Sequence, residues 1–111
     1  MGKMSDLRSR FVNRDLSWLQ FNARVLQEAE DERNPLIERI RFLGIFSNNL
    51  DEFFRVRYAS IQRMESSTDE KKVKETLGGW NPTDLLQAIQ SEVNVLNDRV
   101  ERVYDALMGQ L

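Results

Sequence analysis

The 111-residue sequence predicts an all-α fold, a single bundle of about four helices that ends in a long C-terminal helix. Three observations lead there. Apolar residues recur at spacings of three and four in four separate stretches, only five Gly and two Pro interrupt the chain, and no stretch alternates apolar and polar residues as a half-buried strand would. With 41% hydrophobic and 31% charged residues the composition is globular, and the length suits one domain, residues 1–111, built on one core.

The chain contains no Cys and no His. This excludes a thiol or imidazole nucleophile, a Ser-His pair, a disulfide framework and an ordinary zinc site. A formal charge of −2 gives no bulk attraction to nucleic acid or to a membrane surface. The charge is unevenly spread: residues 1–64 hold ten Arg and one Lys against nine acidic residues, whereas residues 65–111 are net acidic. Arg presents a planar fork suited to carboxylate or phosphate, so the bias fits either anion handling or Arg–Glu pairing on helix faces. The first fifteen residues, with Lys3, Arg8, Arg10 and Arg14, lack the apolar run of a secretory signal or membrane anchor, and Gly2 fails the myristoylation pattern because Asp6 stands where Ser or Thr is needed. The expectation is a soluble, cytoplasmic protein.

The first helix is expected to begin under an Asp15 or Ser17 cap and run to about Asp31, with Trp18, Leu19, Phe21, Val25, Leu26 and Ala29 in one apolar stripe. Asn22 falls inside that stripe, where an amide must be paired, and is read as holding a neighbouring helix or loop in register. Asn34-Pro35 signals the next start, and Leu36, Ile37, Ile40, Leu43 and Phe46 form the second apolar face, with Glu38 able to pair with Arg41 or Arg39. Ser47-Asn48-Asn49 predicts a break or sharp bend, after which Asn49-Leu50-Asp51-Glu52 restarts a helix, although an uninterrupted helix is the alternative.

The third helix, Leu50 to about Met64, aligns Leu50, Phe53, Phe54, Tyr58, Ile61 and Met64. Arg57 projects into this stripe, where it either snorkels, pairs with a buried carboxylate, or faces a site completed from outside the chain. Residues 65–83 show no sustained apolar period and end in breakers, so they are read as a mobile connector whose far end Trp80 fastens to the bundle. The last helix is expected from a Thr83 cap almost to the C-terminus, about 40 Å long. Its seam of Leu86, Ile89, Val93, Leu96, Val100, Val103 and Leu107 is that of a helix packed along a near-antiparallel partner.

Phosphate loops, H-E-x-x-H and calcium-loop spacings are absent, and adjacent Asp51 and Glu52 point about 100° apart, a poor metal site. Gly44 within a helix suggests close approach by a neighbour. Asn48 and Asn49 sit at the expected helix junction, where an amide supplies the donor and acceptor needed to read the amino group and adjacent ring nitrogen of adenine. Asp51 and Glu52 oppose a phosphate at that helix start, so a base or ribose suits the place better; plain capping accounts for the same residues.

Asn13-Arg-Asp-Leu-Ser-Trp-Leu-Gln-Phe-Asn-Ala-Arg-Val-Leu-Gln-Glu-Ala29 and Asn34-Pro-Leu-Ile-Glu-Arg-Ile-Arg-Phe-Leu-Gly-Ile-Phe-Ser-Asn-Asn-Leu-Asp-Glu-Phe-Phe-Arg-Val-Arg57 closely resemble the N-terminal domain of the bacterial polyphosphate kinase family. The resemblance is dense from Phe11 to Ile61 and rests on order and pattern beyond Met64. It implies part of an enzyme that reversibly transfers the terminal phosphoryl of ATP to polyphosphate, with magnesium and a phosphohistidine supplied by later domains absent from this chain. It implies no catalytic residue and no metal ligand here, and assigns nucleotide contact to Asn49, with Asn48, Arg55 and Arg57 as second-rank candidates. The implied partners are ATP or ADP, polyphosphate, the catalytic domains of the same chain and further copies in a homo-oligomer; membrane association of the full-length enzyme is left open. The competing reading is a free-standing interaction module that binds a partner helix through the heptad face of the last helix.

Overall fold

The computed structural model describes residues 13–111; the readings of Gly2, Lys3, Arg8 and Arg10 lie outside them. Helix α1 spans Arg14–Glu30 and α2 spans Leu36–Phe53. The chain continues without a break through a π-helical turn, Phe54–Tyr58, into α3, Ala59–Met64. A short α4, Glu70–Thr76, precedes the long α5, Pro82–Met108. The five-residue link between α1 and α2 makes them antiparallel neighbours, and α5 packs across both. The bundle measures 52 × 35 × 17 Å and is flattened along one axis.

Asn13 caps α1, in place of the expected Asp15 or Ser17. Its backbone is extended, and its Oδ1 accepts from the Asp15 and Leu16 N–H at 2.8 and 3.2 Å. The Asp15 carboxylate is engaged by Arg57 instead, and the Ser17 N–H already bonds to the Asn13 carbonyl. Asn34 does not cap α2 either: its Nδ2 donates to the Glu28 carbonyl and to Glu28 Oε2, tying off the end of α1. Pro35, which has no N–H to satisfy, leads directly into Leu36.

The helix does not break at Ser47-Asn48-Asn49. Phe46 and Leu50 are buried on either side, and the Asn49 side chain bonds across to α1 and does not compete for its own backbone. Asp51 and Glu52 are therefore mid-helix residues with no first turn to cap. The irregularity lies one turn later. Widening the coil over Phe54–Tyr58 shifts the register so that Phe53 is buried while Phe54 and Tyr58 pack beside it, with Phe53–Phe54 edge-to-face at 6.1 Å and Phe54–Tyr58 tilted at 4.9 Å.

Residues 65–83 are more structured than their pattern predicts. Asp69 caps α4 through the Lys72 N–H, and Val73 and Leu77, one turn apart, both enter the core. Gly78 and Gly79 then take φ of +68° and +95°, which returns the chain toward the bundle, and Trp80 packs against the core as expected. Asn81, not Thr83, caps α5 by accepting from the Asp84 N–H, with Pro82 in the first turn; the Thr83 hydroxyl donates to Glu65.

The core runs the length of the bundle. Leu19, Leu26 and Ala29 of α1, Leu43, Phe46, Leu50 and Phe53 of α2, and Ile61 of α3 meet the α5 seam, in which Leu86, Ile89, Val93, Leu96, Val103 and Leu107 are buried and Val100 half-buried. Burying each such side chain contributes about 1.5–3 kcal/mol, so α5 is the principal clamp. Phe21 and Ile37, placed in apolar stripes by their spacing, are 64% and 67% exposed, because so thin a bundle covers only the middle of each stripe. Among the described residues a Cβ on Gly44 would meet nothing within 4 Å, so the expected close approach is not found there. Polar ties finish the packing: Arg39 Nε donates to the Ala29 carbonyl at 2.9 Å, Arg99 pairs with Glu30, and Glu38 pairs with Arg41 at 3.7 Å.

Candidate functional site

A hollow of about 410 Å³ opens where the start of α1 faces the end of α2 and the π-helical turn, a size that admits a small ligand. Arg14, Asp15 and Trp18 line it from α1; Asn49, Glu52, Phe53, Val56 and Arg57 line it from the other side. The latter five recur at helical spacing and so share one face.

Trp18 and Phe53 stack with ring centroids 5.0 Å apart and planes within 9°, which gives the hollow an aromatic wall. Arg57 grips Asp15 through two parallel bonds, Nε to Oδ1 at 2.7 Å and Nη2 to Oδ2 at 3.0 Å. Of the three readings for Arg57, pairing with a buried carboxylate is the one found. Hydrogen bonding to Asp15 raises the Arg57 pKa above its ordinary value, against the opposing effect of burial. Two cations, Arg14 and Arg57, face two anions, Asp15 and Glu52, so among the described residues the lining carries no formal net charge. Such a wall suits an uncharged planar group better than a triphosphate.

Asn49 is half-buried, and its Nδ2 donates to Asn22 Oδ1 at 3.1 Å. Among the described residues none donates to Asn49 Oδ1, so a carbonyl acceptor and the second amide N–H remain available on one side chain. Asn22 is fully buried and donates to the Phe46 carbonyl, which bears out its expected role in holding α2 in register with α1.

Of the four residues singled out for nucleotide contact, the structure brings Asn49 and Arg57 into one hollow. Asn48 and Arg55 are exposed and do not line it. Sequence reasoning missed Trp18, counted as core, and Asp15, counted as a cap. The signal for Asp15 was Arg57 itself, a cation on an apolar face in need of a buried carboxylate. Among the described residues no group of three or more His, Cys, Asp or Glu side chains is arranged to hold a metal ion, and no helix is long and apolar enough to cross a membrane.

Fold and site together define a small all-α domain whose first two helices enclose an aromatic, amide-bearing hollow of balanced charge. The family described as Polyphosphate kinase N-terminal domain matches residues 11–111, and the chain belongs to that family. It is 46% identical to a polyphosphate kinase of Vibrio parahaemolyticus and 45% identical to those of Klebsiella pneumoniae and Escherichia coli K12, in each case over 101 residues, 91% of this chain and 14% of the relative. The chain thus spans about one-seventh of the length of these relatives. Comparison with solved structures finds no match.

Proposed function

We propose that this domain forms the adenine-binding wall of the ATP site in a polyphosphate kinase, an enzyme that transfers the terminal phosphoryl of ATP reversibly to polyphosphate. The observation that carries the reading is Asn49: an amide with a carbonyl oxygen and an N–H to offer, set in a hollow that has an aromatic wall and whose described lining residues balance in charge. Adenine supplies the matching amino donor and ring-nitrogen acceptor, and its flat faces suit the apolar surface of Trp18 and Val56. Arg57 keeps its Asp15 partner and forms the rim nearest a ribose or phosphate; Asn48 and Arg55 are left with roles at the domain's outer surface.

The phosphates, magnesium and the phosphohistidine are assigned to other parts of the enzyme, since the chain has no His. A cytoplasmic location and a homo-oligomeric assembly belong to the same reading. The rival interaction module loses its surface, because the heptad face of α5 around Leu96 is already covered by α1, α2 and α3. In the full-length kinase, Asn49→Ala should raise the KM for ATP roughly tenfold with little change in kcat, as expected for a contact equal in ground and transition states. An unchanged KM would remove Asn49 from the site.

A further inference from the structure

Asn22 is 0% exposed and sits between two acceptor-hungry and donor-hungry neighbours whose chemistry leaves it one orientation. Its Nδ2 donates to the Phe46 main-chain carbonyl at 3.4 Å, and its Oδ1 accepts from Asn49 Nδ2 at 3.1 Å. A carbonyl can only accept, so Asn22 must turn its NH2 toward Phe46 and its oxygen toward Asn49. That oxygen can only accept in turn, so Asn49 must give it an N–H. One backbone atom therefore sets the polarity of a two-amide relay. Turning both amides over would oppose two oxygens at Phe46 and leave that carbonyl facing a lone pair inside the core, which is costly where water cannot compensate.

We infer that Asn22 is a positioning residue that locks the polarity of Asn49 and thereby makes the hollow select adenine over guanine. The inference rests on the adenine reading of the hollow and deepens it. On corresponding edges adenine presents an amino donor beside a ring-nitrogen acceptor, whereas guanine presents a carbonyl acceptor beside a ring N–H donor. A freely turning amide satisfies either base by rotating 180°. A locked one, with Oδ1 and the second N–H outward, matches adenine and sets its oxygen against the guanine carbonyl. The expected preference for ATP over GTP is roughly ten- to hundredfold, the worth of one good two-point amide contact.

The test titrates ATP and GTP separately into the isotope-labelled 111-residue chain and into its Asn22→Leu variant, with dissociation constants read from NMR shifts. Loss of the lock should bring the two nucleotides within roughly threefold of each other. A purely structural role for Asn22 would weaken both nucleotides together and leave their ratio unchanged, and an unchanged ratio overturns the inference. Should Asn22→Leu not fold, the wild-type chain itself decides: the Asn49 side-chain amide proton bonded to Asn22 should exchange with solvent more slowly than its outward partner and than those of exposed Asn48, and equal exchange overturns the lock. An Asn49→Ala variant separates the two levels. If it abolishes ATP binding while Asn22→Leu keeps the ratio, the adenine reading stands and this inference falls; if Asn49→Ala binds ATP as before, the adenine reading falls and the inference with it.

Discussion

Arg57, in the π-helical turn, holds Asp15, in the first turn of α1, by two bonds of 2.7 and 3.0 Å, and so closes one end of the hollow that carries Asn49. The partners are unequally placed, since the Asp15 side chain is 5% exposed and that of Arg57 32%. Removing Arg57 strands a carboxylate in the interior, whereas neutralising Asp15 leaves a guanidinium that can reach water. Arg57→Met should therefore destabilise the domain by about 3 kcal/mol and Asp15→Asn by about 1 kcal/mol, read from urea unfolding midpoints at constant m. Equal losses would show that the pair behaves as a surface contact.

The two Asn caps should differ in the same way. Asn13 is buried and, besides capping α1, donates through Nδ2 to the Leu77 carbonyl at 3.1 Å, joining α1 to the end of α4. Asn13→Ala removes the cap and orphans that carbonyl, a loss of about 2–3 kcal/mol. Asn81 is exposed and caps α5 alone, so Asn81→Ala should cost about 1 kcal/mol. Thermal unfolding of the two variants gives the ratio directly, at about 4–8 °C of Tm per kcal/mol for a domain of this size.

Gly44 supplies a stabilising change. It lies inside α2 with an ordinary helical backbone, and among the described residues a Cβ there meets nothing within 4 Å. Gly44→Ala should raise stability by about 1 kcal/mol in the isolated chain, through lower backbone entropy in the unfolded state. A lower unfolding midpoint would contradict the open space at that position.

Asp31, at the end of α1, is held from 3.8 down to about 2 by hydrogen bonds from the Arg33 side chain and backbone N–H. A depressed carboxyl pKa contributes stability above its unfolded value and loses it as pH falls through the folded one. The contribution should thus be complete above about pH 5, lost progressively as pH falls through the folded value, and gone near pH 1. In an NMR titration Arg33→Gln should move the Asp31 midpoint back toward the usual carboxylate range; an unmoved midpoint would assign the shift elsewhere.

Periodicity made the long elements legible: the α5 seam is buried nearly as spaced, and Asn22 was marked by its place in an apolar stripe. Residues that compete for local backbone bonds misled in both directions. Ser47-Asn48-Asn49 looked like a break because tertiary contacts of Asn49 and the burial of Phe46 and Leu50 are invisible in local preference. The true irregularity, at Phe54–Tyr58, has no Gly, Pro or Asn to announce it and follows from the need to bring Phe54 and Tyr58 in beside Phe53. The α4 helix was hidden because two apolar residues, Val73 and Leu77, are too few to show a period. Within the hollow, Asn49 was legible from an amide argument and a family motif; Arg57 signalled a buried carboxylate but not which one, since its pairing with Asp15 spans 42 residues.

The central claim, that the hollow around Asn49 holds the adenine of ATP, is tested most directly by titrating millimolar ATP into the isotope-labelled chain and following the Asn49 side-chain amide and the Trp18 indole N–H together. Both signals should shift progressively and in step, with no response at Leu96 or Val103 in the α5 seam. Signals at Asn49 and Trp18 that stay fixed, or shifts centred on another face of the bundle, would contradict it.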